Sequence, residues 1–119
     1  MTTQEIAKRF YALAQEGKWN EVQDELFSKD ATSIEPPHAQ GLATVTGLDK
    51  IKEKGKQWEG MIEESHGGYC QEPQVAGDFF TCAMGADVTM KGQGRVKMDE
   101  IALYEVKDGK IVREQFFYN

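Results

Sequence analysis

The spacing of hydrophobic positions changes along the chain, from a helical period in the first half to alternation in the second. Apolar residues over 3–16 recur every three or four positions, which predicts an amphipathic helix followed by Gly17. The same spacing predicts a second helix from Asn20 to Phe27 and a third over 46–65. Between them, the β-rich run DATSIEP predicts a short strand that ends at two prolines.

The second half of the chain carries the alternation expected of β-strands. Turn sequences AGD, KGQG and KDG divide it, and Asp-Gly is a strong hairpin signal. Pro73 cannot donate to a strand ladder, so we expect a bulge or a sheet edge there. The pattern predicts an antiparallel meander of four strands, over 67–76, 79–90, 95–106 and 110–118.

This order of elements predicts one α+β domain over residues 1–119, with three N-terminal helices packed on a mainly antiparallel sheet. Neither face of the strands over 79–90 and 95–106 is clearly polar. Helices can cover one apolar face, and the other then needs a partner, because large exposed apolar patches are uncommon on monomers. We therefore expect a homodimer formed through the outer face of the sheet.

Charge and composition exclude several classes of function. The 20 acidic residues outnumber the 14 basic ones, and the net charge is −6. Nucleic-acid binding needs clustered cations, and an acidic surface is repelled by anionic lipids, so neither partner is expected. No apolar run approaches the ~20 residues of a membrane span. The N-terminus lacks a secretory pattern, and a cytoplasmic protein is expected.

The sequence contains no recognisable motif for binding a metal or a cofactor. Cys70 and Cys82 are too few for a disulfide framework and have no histidine at ligand spacing, so we interpret them as small apolar residues. The two histidines and the scattered acids form no HExxH pattern, and KGQGR reads as a hairpin turn, not as a phosphate loop. We expect no metal and no cofactor.

The candidate chemistry centres on Glu35, which directly precedes two prolines, and on His38, three residues later. A carboxylate becomes a base near neutral pH when burial raises its pKa, and Trp58 is available as an apolar wall. Two further apolar candidates, Phe116 and Tyr118, share a face of the last strand with a third acid, Glu114. The plainer alternatives remain open: Glu35 and Glu114 can be solvated at the surface, and His38 can be a loop histidine facing water.

Several stretches resemble the SnoaL-like, or nuclear transport factor 2-like, superfamily. They are RFYALAQEGKWNEV, LFSKDATSIEP, TGLDKIKEKGKQW and VKMDEIALYEVKDGKIVREQFFY, and together they cover nearly the whole chain. The resemblance implies a cone-shaped α+β barrel with an apolar cavity at its open end, and dimers are common in the superfamily. Its members include ketosteroid isomerase, polyketide cyclases, small hydrolases and dehydratases, together with many non-enzymes, so fold does not decide function.

The resemblance to ketosteroid isomerase implies specific roles for four residues. Glu35 matches the general base, and Asp99 matches the neutral acid that donates to an oxyanion. The tyrosine of the first helix aligns with Phe10, while Tyr11 lies one position further, about 100° around the helix. This departure counts against steroid-type isomerisation, although Phe10 and Tyr11 are still expected to line the pocket.

Three functions follow as hypotheses. The first is a cofactor-free isomerase, cyclase or dehydratase that uses Glu35 as base, assisted by Asp99 and His38. The second is a module that binds a small apolar or carbonyl-containing ligand without chemistry. The third is a dimeric scaffold.

Overall fold

The structure, a computed structural model, describes residues 1–119 as three helices and seven strands. The helices pack on a curved, open, mainly antiparallel sheet, as the sequence predicted. The elements are α1 (Thr3–Gln15), α2 (Trp19–Leu26), β1 (Phe27–Ile34), β2 (Val45–Thr46), α3 (Leu48–Met61), β3 (Ile62–Cys70), β4 (Gln74–Ala76), β5 (Phe79–Met90), β6 (Gly94–Lys107) and β7 (Lys110–Phe117).

Several predicted boundaries were wrong: β1 begins at Phe27 and not at Asp30, the short strand β2 was not predicted, and two further differences lie around β3. The third helix ends at Met61 and not at residue 65, because Ile62 already pairs with Met90 of β5. The predicted strand over 67–76 is two strands, β3 and β4, separated by a break that contains Pro73. Both strands pair with β5 only, so the proline lies at an edge of the sheet.

The sheet has the strand order β2-β1-β7-β6-β5-β3, with β4 also paired to β5. Strands β5 to β7 are antiparallel neighbours, whereas β1 runs parallel to β7. Asp108 and Gly109 both have positive φ, of 52° and 75°, as the two central residues of a type I′ hairpin turn do. The KDG turn predicted from the sequence therefore joins β6 to β7.

Helix α1 begins at a complete capping box. The Thr2 hydroxyl accepts from the Glu5 backbone amide, and the Glu5 carboxylate accepts from the Thr2 amide. Gly17 follows the last turn with a φ of 70°, a conformation that favours glycine. These local signals fix both ends of the helix, as the sequence predicted.

The main hydrophobic core lies between α1, α2 and the inner face of the sheet, where aromatic rings pack against each other. Phe10 of α1 has ring centroids 4.7 Å from Tyr104 and 5.4 Å from Phe80. The rings of Phe80 and Tyr104 are stacked at 4.9 Å. All three side chains are fully buried.

The outer face of the sheet is uncovered, and one part of it is apolar. Ile101 of β6 is 46% exposed and Phe117 of β7 is 49% exposed, and the two residues are paired across the strands. Phe79 of β5 is also exposed on this face. None of the helices is long and apolar enough to cross a membrane.

Candidate functional site

Six polar side chains from four parts of the chain meet between α3 and the inner face of the sheet. Three of the six are carboxyl groups, one is an ammonium and two are hydroxyls. We call this set the polar cluster: Ser33, Glu35, Lys54, Glu100, Glu114 and Tyr118.

Strand pairing brings the members of the polar cluster together. Ser33 of β1 is in register with Glu114 of β7, so both side chains point to the inner face. Glu35 lies two residues after Ser33 and therefore on the same side of the chain. Glu100 of β6 alternates with Ala102 and Tyr104, which are buried on that inner face.

Lys54 is the cation of the polar cluster. Its Nζ lies 2.8 Å from Glu35 Oε2, and the two side chains are only 8% and 5% exposed. It also donates to Ser33 Oγ at 2.7 Å and lies 5.8 Å from the centre of the Phe116 ring. Because a buried charge without a partner is very costly, this ion pair and its hydrogen bonds are what allow Lys54 to be buried.

Hydrogen bonds join five of the six members of the polar cluster, all except Glu100, into one chain. Ser33 Oγ accepts from Lys54 and donates to Glu114 Oε1 at 2.7 Å. At the other end, the Tyr118 hydroxyl donates to Glu35 Oε1 at 2.7 Å. Both oxygens of Glu35 are therefore occupied, one by an ammonium and one by a hydroxyl. The network leaves no buried side-chain polar atom without a partner.

Glu100 differs from the other two carboxyl groups, because its surroundings consist of burial and negative charge without a compensating hydrogen bond. Burial raises the pKa of Glu100 to about 7, and the nearby Glu35 and Glu114 carboxylates add to the effect. Burial also raises the pKa of Glu114, against the hydrogen bond from Ser33 and the charge of Lys54. Glu100 is consequently the group that can gain and lose a proton near neutral pH.

Apolar side chains extend from the polar cluster along α3. Ile51, Lys54, Trp58 and Met61 are spaced by three or four residues, so they share the face of α3 that lies against the sheet. Trp58 and Met61 are half-buried. His38 is exposed, and its ring makes an edge contact with Tyr118 at 5.6 Å. The predicted residues Glu35, His38, Trp58, Glu114, Phe116 and Tyr118 thus lie in or beside the polar cluster.

Asp99 does not reach the polar cluster, because it occupies the opposite face of β6. It is exposed, and it accepts a hydrogen bond from the Tyr69 hydroxyl at 2.6 Å. The Tyr69 ring crosses Gly85 to reach it, since a Cβ at Gly85 would lie 2.5 Å from that ring. The position matched to the oxyanion acid therefore carries an outward residue here, and Glu100 is its inward neighbour.

Phe10 and Tyr11 were predicted to line the pocket, and the structure places both on α1, away from α3. Phe10 belongs to the aromatic core. Tyr11 is half-buried, and α1 packs mainly on α2, β3, β4 and β5. The tyrosine that does donate to Glu35 is Tyr118, which comes from the other end of the chain.

Sequence reasoning missed Ser33, Lys54 and Glu100, although each left a signal. Lys54 interrupts the apolar stripe of α3 between Ile51 and Trp58, where a charged residue is unusual. Glu100 interrupts a run of alternating apolar residues on β6, as Ser33 does on β1. A polar or charged residue at a position expected to be apolar indicates that its side chain has a hydrogen-bonding or charged partner in the fold. The spacing pattern does not show which residue that partner is.

Other features of the surface do not form a second site of this kind. Two open depressions of about 470 and 520 Å³ lie beside the N-terminus, lined by residues such as Thr2, Thr3 and Asp78. Neither contacts the polar cluster. No three histidine, cysteine, aspartate or glutamate side chains converge in a geometry that could hold a metal ion.

Comparison with known proteins shows the family to which this fold belongs. The SnoaL-like domain family matches residues 1–118, and this chain belongs to that family. No curated protein matches it in sequence.

Solved structures reproduce the fold over the whole chain. A Mesorhizobium loti protein is 38% identical, with a TM-score of 0.92 over 99% of this chain and 100% of its own. Its provisional name is SnoaL-like polyketide cyclase, with carbohydrate phosphatase in brackets. A nuclear transport factor 2-like protein from Burkholderia thailandensis is 19% identical, with a TM-score of 0.81 over 100% and 92% of the two chains. TerC, crystallised with polyporic acid, is 19% identical, with a TM-score of 0.77 over 98% and 91%.

Proposed function

We propose that this protein binds a small carbonyl compound beside the polar cluster and moves a proton on it without a cofactor, as an isomerase, cyclase or dehydratase does. The observation that carries the proposal is Glu100, a half-buried carboxyl with two acidic neighbours and no hydrogen-bond donor of its own. A base of this kind is suited to removing a proton from a carbon next to a carbonyl.

The proton transfer is assigned to Glu100 because Glu35 is already engaged. Glu35 accepts hydrogen bonds from both Lys54 and Tyr118, so neither of its oxygens is free to take a proton from a substrate. The role of Glu35 as base stays a prediction from the family resemblance. In the arrangement observed here, Glu35 holds Lys54 and Tyr118 in place and adds to the negative charge that keeps Glu100 protonatable.

In the proposed reaction, one proton moves from a substrate carbon to Glu100 and back to carbon. Ionised Glu100 takes a proton from the carbon, and the electron pair moves to the carbonyl oxygen as an enolate. Protonation of Glu100 in this step removes one negative charge from the cluster, and the Lys54 ammonium then helps to stabilise that oxygen. Protonated Glu100 then returns the proton to carbon, to the same position or to a conjugated one.

Charge also narrows the substrate class. Three carboxyl groups face one ammonium in the polar cluster, so a phosphate ester would meet net repulsion. The half-buried Trp58 and Phe116 favour an apolar body on the ligand. An uncharged ketone, thioester or polyketide-like compound fits these surroundings. A phosphorylated substrate, as the phosphatase name of the Mesorhizobium relative would imply, does not fit them.

Proton exchange provides a test that needs no knowledge of the natural substrate. A panel of enolisable ketones and thioesters is incubated with the protein in D2O, and NMR follows deuterium entering the carbon next to the carbonyl. Wild-type protein is expected to accelerate exchange for some members of the panel. Glu100→Gln should reduce that rate by about 10²–10⁴-fold, the usual contribution of a general base.

The matched control is Asp99→Asn, the neighbouring acid on the outer face, which should keep the wild-type exchange rate. A panel that binds by thermal shift but shows no exchange would refute catalysis and leave the binding module. If Asp99→Asn and not Glu100→Gln abolishes exchange, the assignment of the base is wrong. The absence of both binding and exchange would favour the scaffold.

We also propose that the protein is a homodimer formed through the outer face of the sheet. Support comes from the apolar patch of Phe79, Ile101 and Phe117, which no helix covers. Burying such side chains against a second copy removes apolar area from water, and each Å² of buried apolar area contributes a free energy of about 25 cal/mol to association. Light scattering should give twice the chain mass for the wild type and a monomer for Ile101→Lys. Lys97→Ala, on the polar part of the same face, should stay dimeric.

A further inference from the structure

The two cysteines, which are far apart in the sequence, lie together on the inner face of the sheet. Cys70 ends β3 in register with Met84 of β5, and Cys82 is two residues from Met84 on the same face. The two cysteines are therefore diagonal neighbours across an antiparallel pair, where Cα atoms are roughly 7–8 Å apart and side chains are closer. The Cys70 thiol donates to the backbone carbonyl of Gln71 at 3.8 Å, which leaves its sulfur lone pairs unengaged.

The environments of the two thiols are unequal. Cys82 is fully buried, whereas Cys70 is half-buried at the strand end, next to the exposed Gln71 and Glu72. The neighbouring Cys82 thiol lowers the pKa of Cys70, and the proximity of Cys70 together with burial raises the pKa of Cys82. This is the arrangement of an accessible attacking thiol with a second thiol close behind it.

We propose that Cys70 and Cys82 form a peroxide-reactive pair, a reversible modification site in which Cys70 is oxidised first and Cys82 resolves it. The Cys70 thiolate attacks one oxygen of hydrogen peroxide, breaks the O–O bond and becomes a sulfenic acid, while the other oxygen leaves as water after taking up a proton. The Cys82 sulfur then attacks the Cys70 sulfur, and the S–O bond breaks with release of a second water. Two cysteine thiols are oxidised to one disulfide, and one peroxide is reduced to two waters.

Formation of the disulfide requires a small movement of the two strands towards each other, and this strain makes the disulfide easier to reduce. A disulfide usually joins Cα atoms 4.4–6.8 Å apart, which is less than the diagonal spacing of the two strands. The end of β3 must therefore approach β5, to which the chain beyond Cys70 is joined by a hydrogen bond from the Gln71 amide to the Ala83 carbonyl at 2.8 Å. A bond formed at the cost of such a displacement is readily reduced. Once Cys70 is a neutral sulfenic acid, its charge no longer raises the pKa of Cys82, and only burial still does.

Peptide mapping of the folded wild-type protein after treatment with hydrogen peroxide tests the proposal. The expected product has lost two hydrogen atoms, contains a crosslinked pair of peptides bearing Cys70 and Cys82, and returns to the starting mass with dithiothreitol. A Cys70 sulfinic acid beside an unmodified Cys82 would overturn the proposal. A disulfide between two copies of Cys70, or no reaction of the folded protein, would overturn it equally.

A variant separates the two steps. Cys82→Ser should form no disulfide, and dimedone should label the sulfenic acid of Cys70 in most molecules. Cys70→Ser should leave Cys82 unreactive, because that thiol is buried. Because Cys82→Ser alters the core, its fold is checked by circular dichroism, and if it is unfolded the wild-type crosslink alone decides the question.

Discussion

The inner face of the sheet contains two regions that are stabilised in different ways, the aromatic core under α1 and the polar cluster under α3. Strand β6 contributes to both, with Tyr104 in the first and Glu100, four residues earlier, in the second. The aromatic core gains stability from apolar area removed from water, which does not depend on pH. The polar cluster depends on partners: the buried charges of Lys54 and Glu35 are tolerable only while each has the other.

This comparison explains why one sheet can serve both stability and chemistry. The α1 end of the sheet is stabilised by the packed rings of Phe10, Phe80 and Tyr104. The fold can therefore tolerate buried acids under α3, although they lower its stability. A raised pKa is such a cost, since it means that the fold disfavours the charged form. Variants in the two regions should therefore differ in how their effects depend on pH.

The largest loss of stability is expected from truncating the aromatic core. Phe10→Ala removes a fully buried ring that contacts Phe80, Tyr104 and Trp19. The lost burial and the cavity together should cost about 4 kcal/mol of unfolding free energy. Urea denaturation at pH 5 and at pH 8 should give the same loss, and a loss that varies with pH would contradict the distinction between the regions.

Removing the cation of the polar cluster should cost somewhat less. Lys54→Met leaves Glu35 buried without its ion pair, at about 3 kcal/mol near pH 8. The cost should shrink at pH 5, because the carboxyl groups can then take up protons. Lys52→Met, two residues earlier on α3, breaks only the half-exposed pair with Asp24 and should cost less than about 1 kcal/mol.

The raised pKa of Glu100 predicts a specific dependence of stability on pH. The pKa rises from 4.5 to about 7 on folding, so the contribution of Glu100 is fully present below pH 4.5. It falls as the pH increases above 4.5 and is lost by about pH 7, a total change of about 3 kcal/mol. Glu100→Gln should remove this slope from the stability profile, measured by denaturation between pH 4 and pH 8, while Asp99→Asn should preserve it.

The smallest effect is expected at the C-terminal hydroxyl. Tyr118→Phe deletes one hydrogen bond to Glu35 and keeps the ring, so it should cost about 1 kcal/mol. Tyr11→Phe is the matched control and should change stability by less than about 0.5 kcal/mol. Equal effects of the two variants would show that the bond to Glu35 contributes nothing measurable.

The sequence predicted the elements of this protein better than it predicted the residues of the site. Capping by Thr2, the Asp108–Gly109 turn and the two apolar periods are local signals, and they gave the α+β order correctly. The site depends on which face of a strand each residue occupies. Asp99 and Glu100 are neighbours in the sequence, yet only Glu100 points towards α3.

By itself, the sequence determined the order of helices and strands, because periodicity, caps and turn residues act over a few positions. Only the tertiary structure decided that Lys54, Glu35 and Tyr118 meet, since the parallel β1–β7 pairing and the packing of α3 join parts of the chain that are 19 and 83 residues apart. The tertiary structure also decided that Cys70 and Cys82 lie together, through the pairing of β3 with β5. Burial in a shared site, and not residue type, makes these groups chemically unusual, and burial belongs to the fold as a whole.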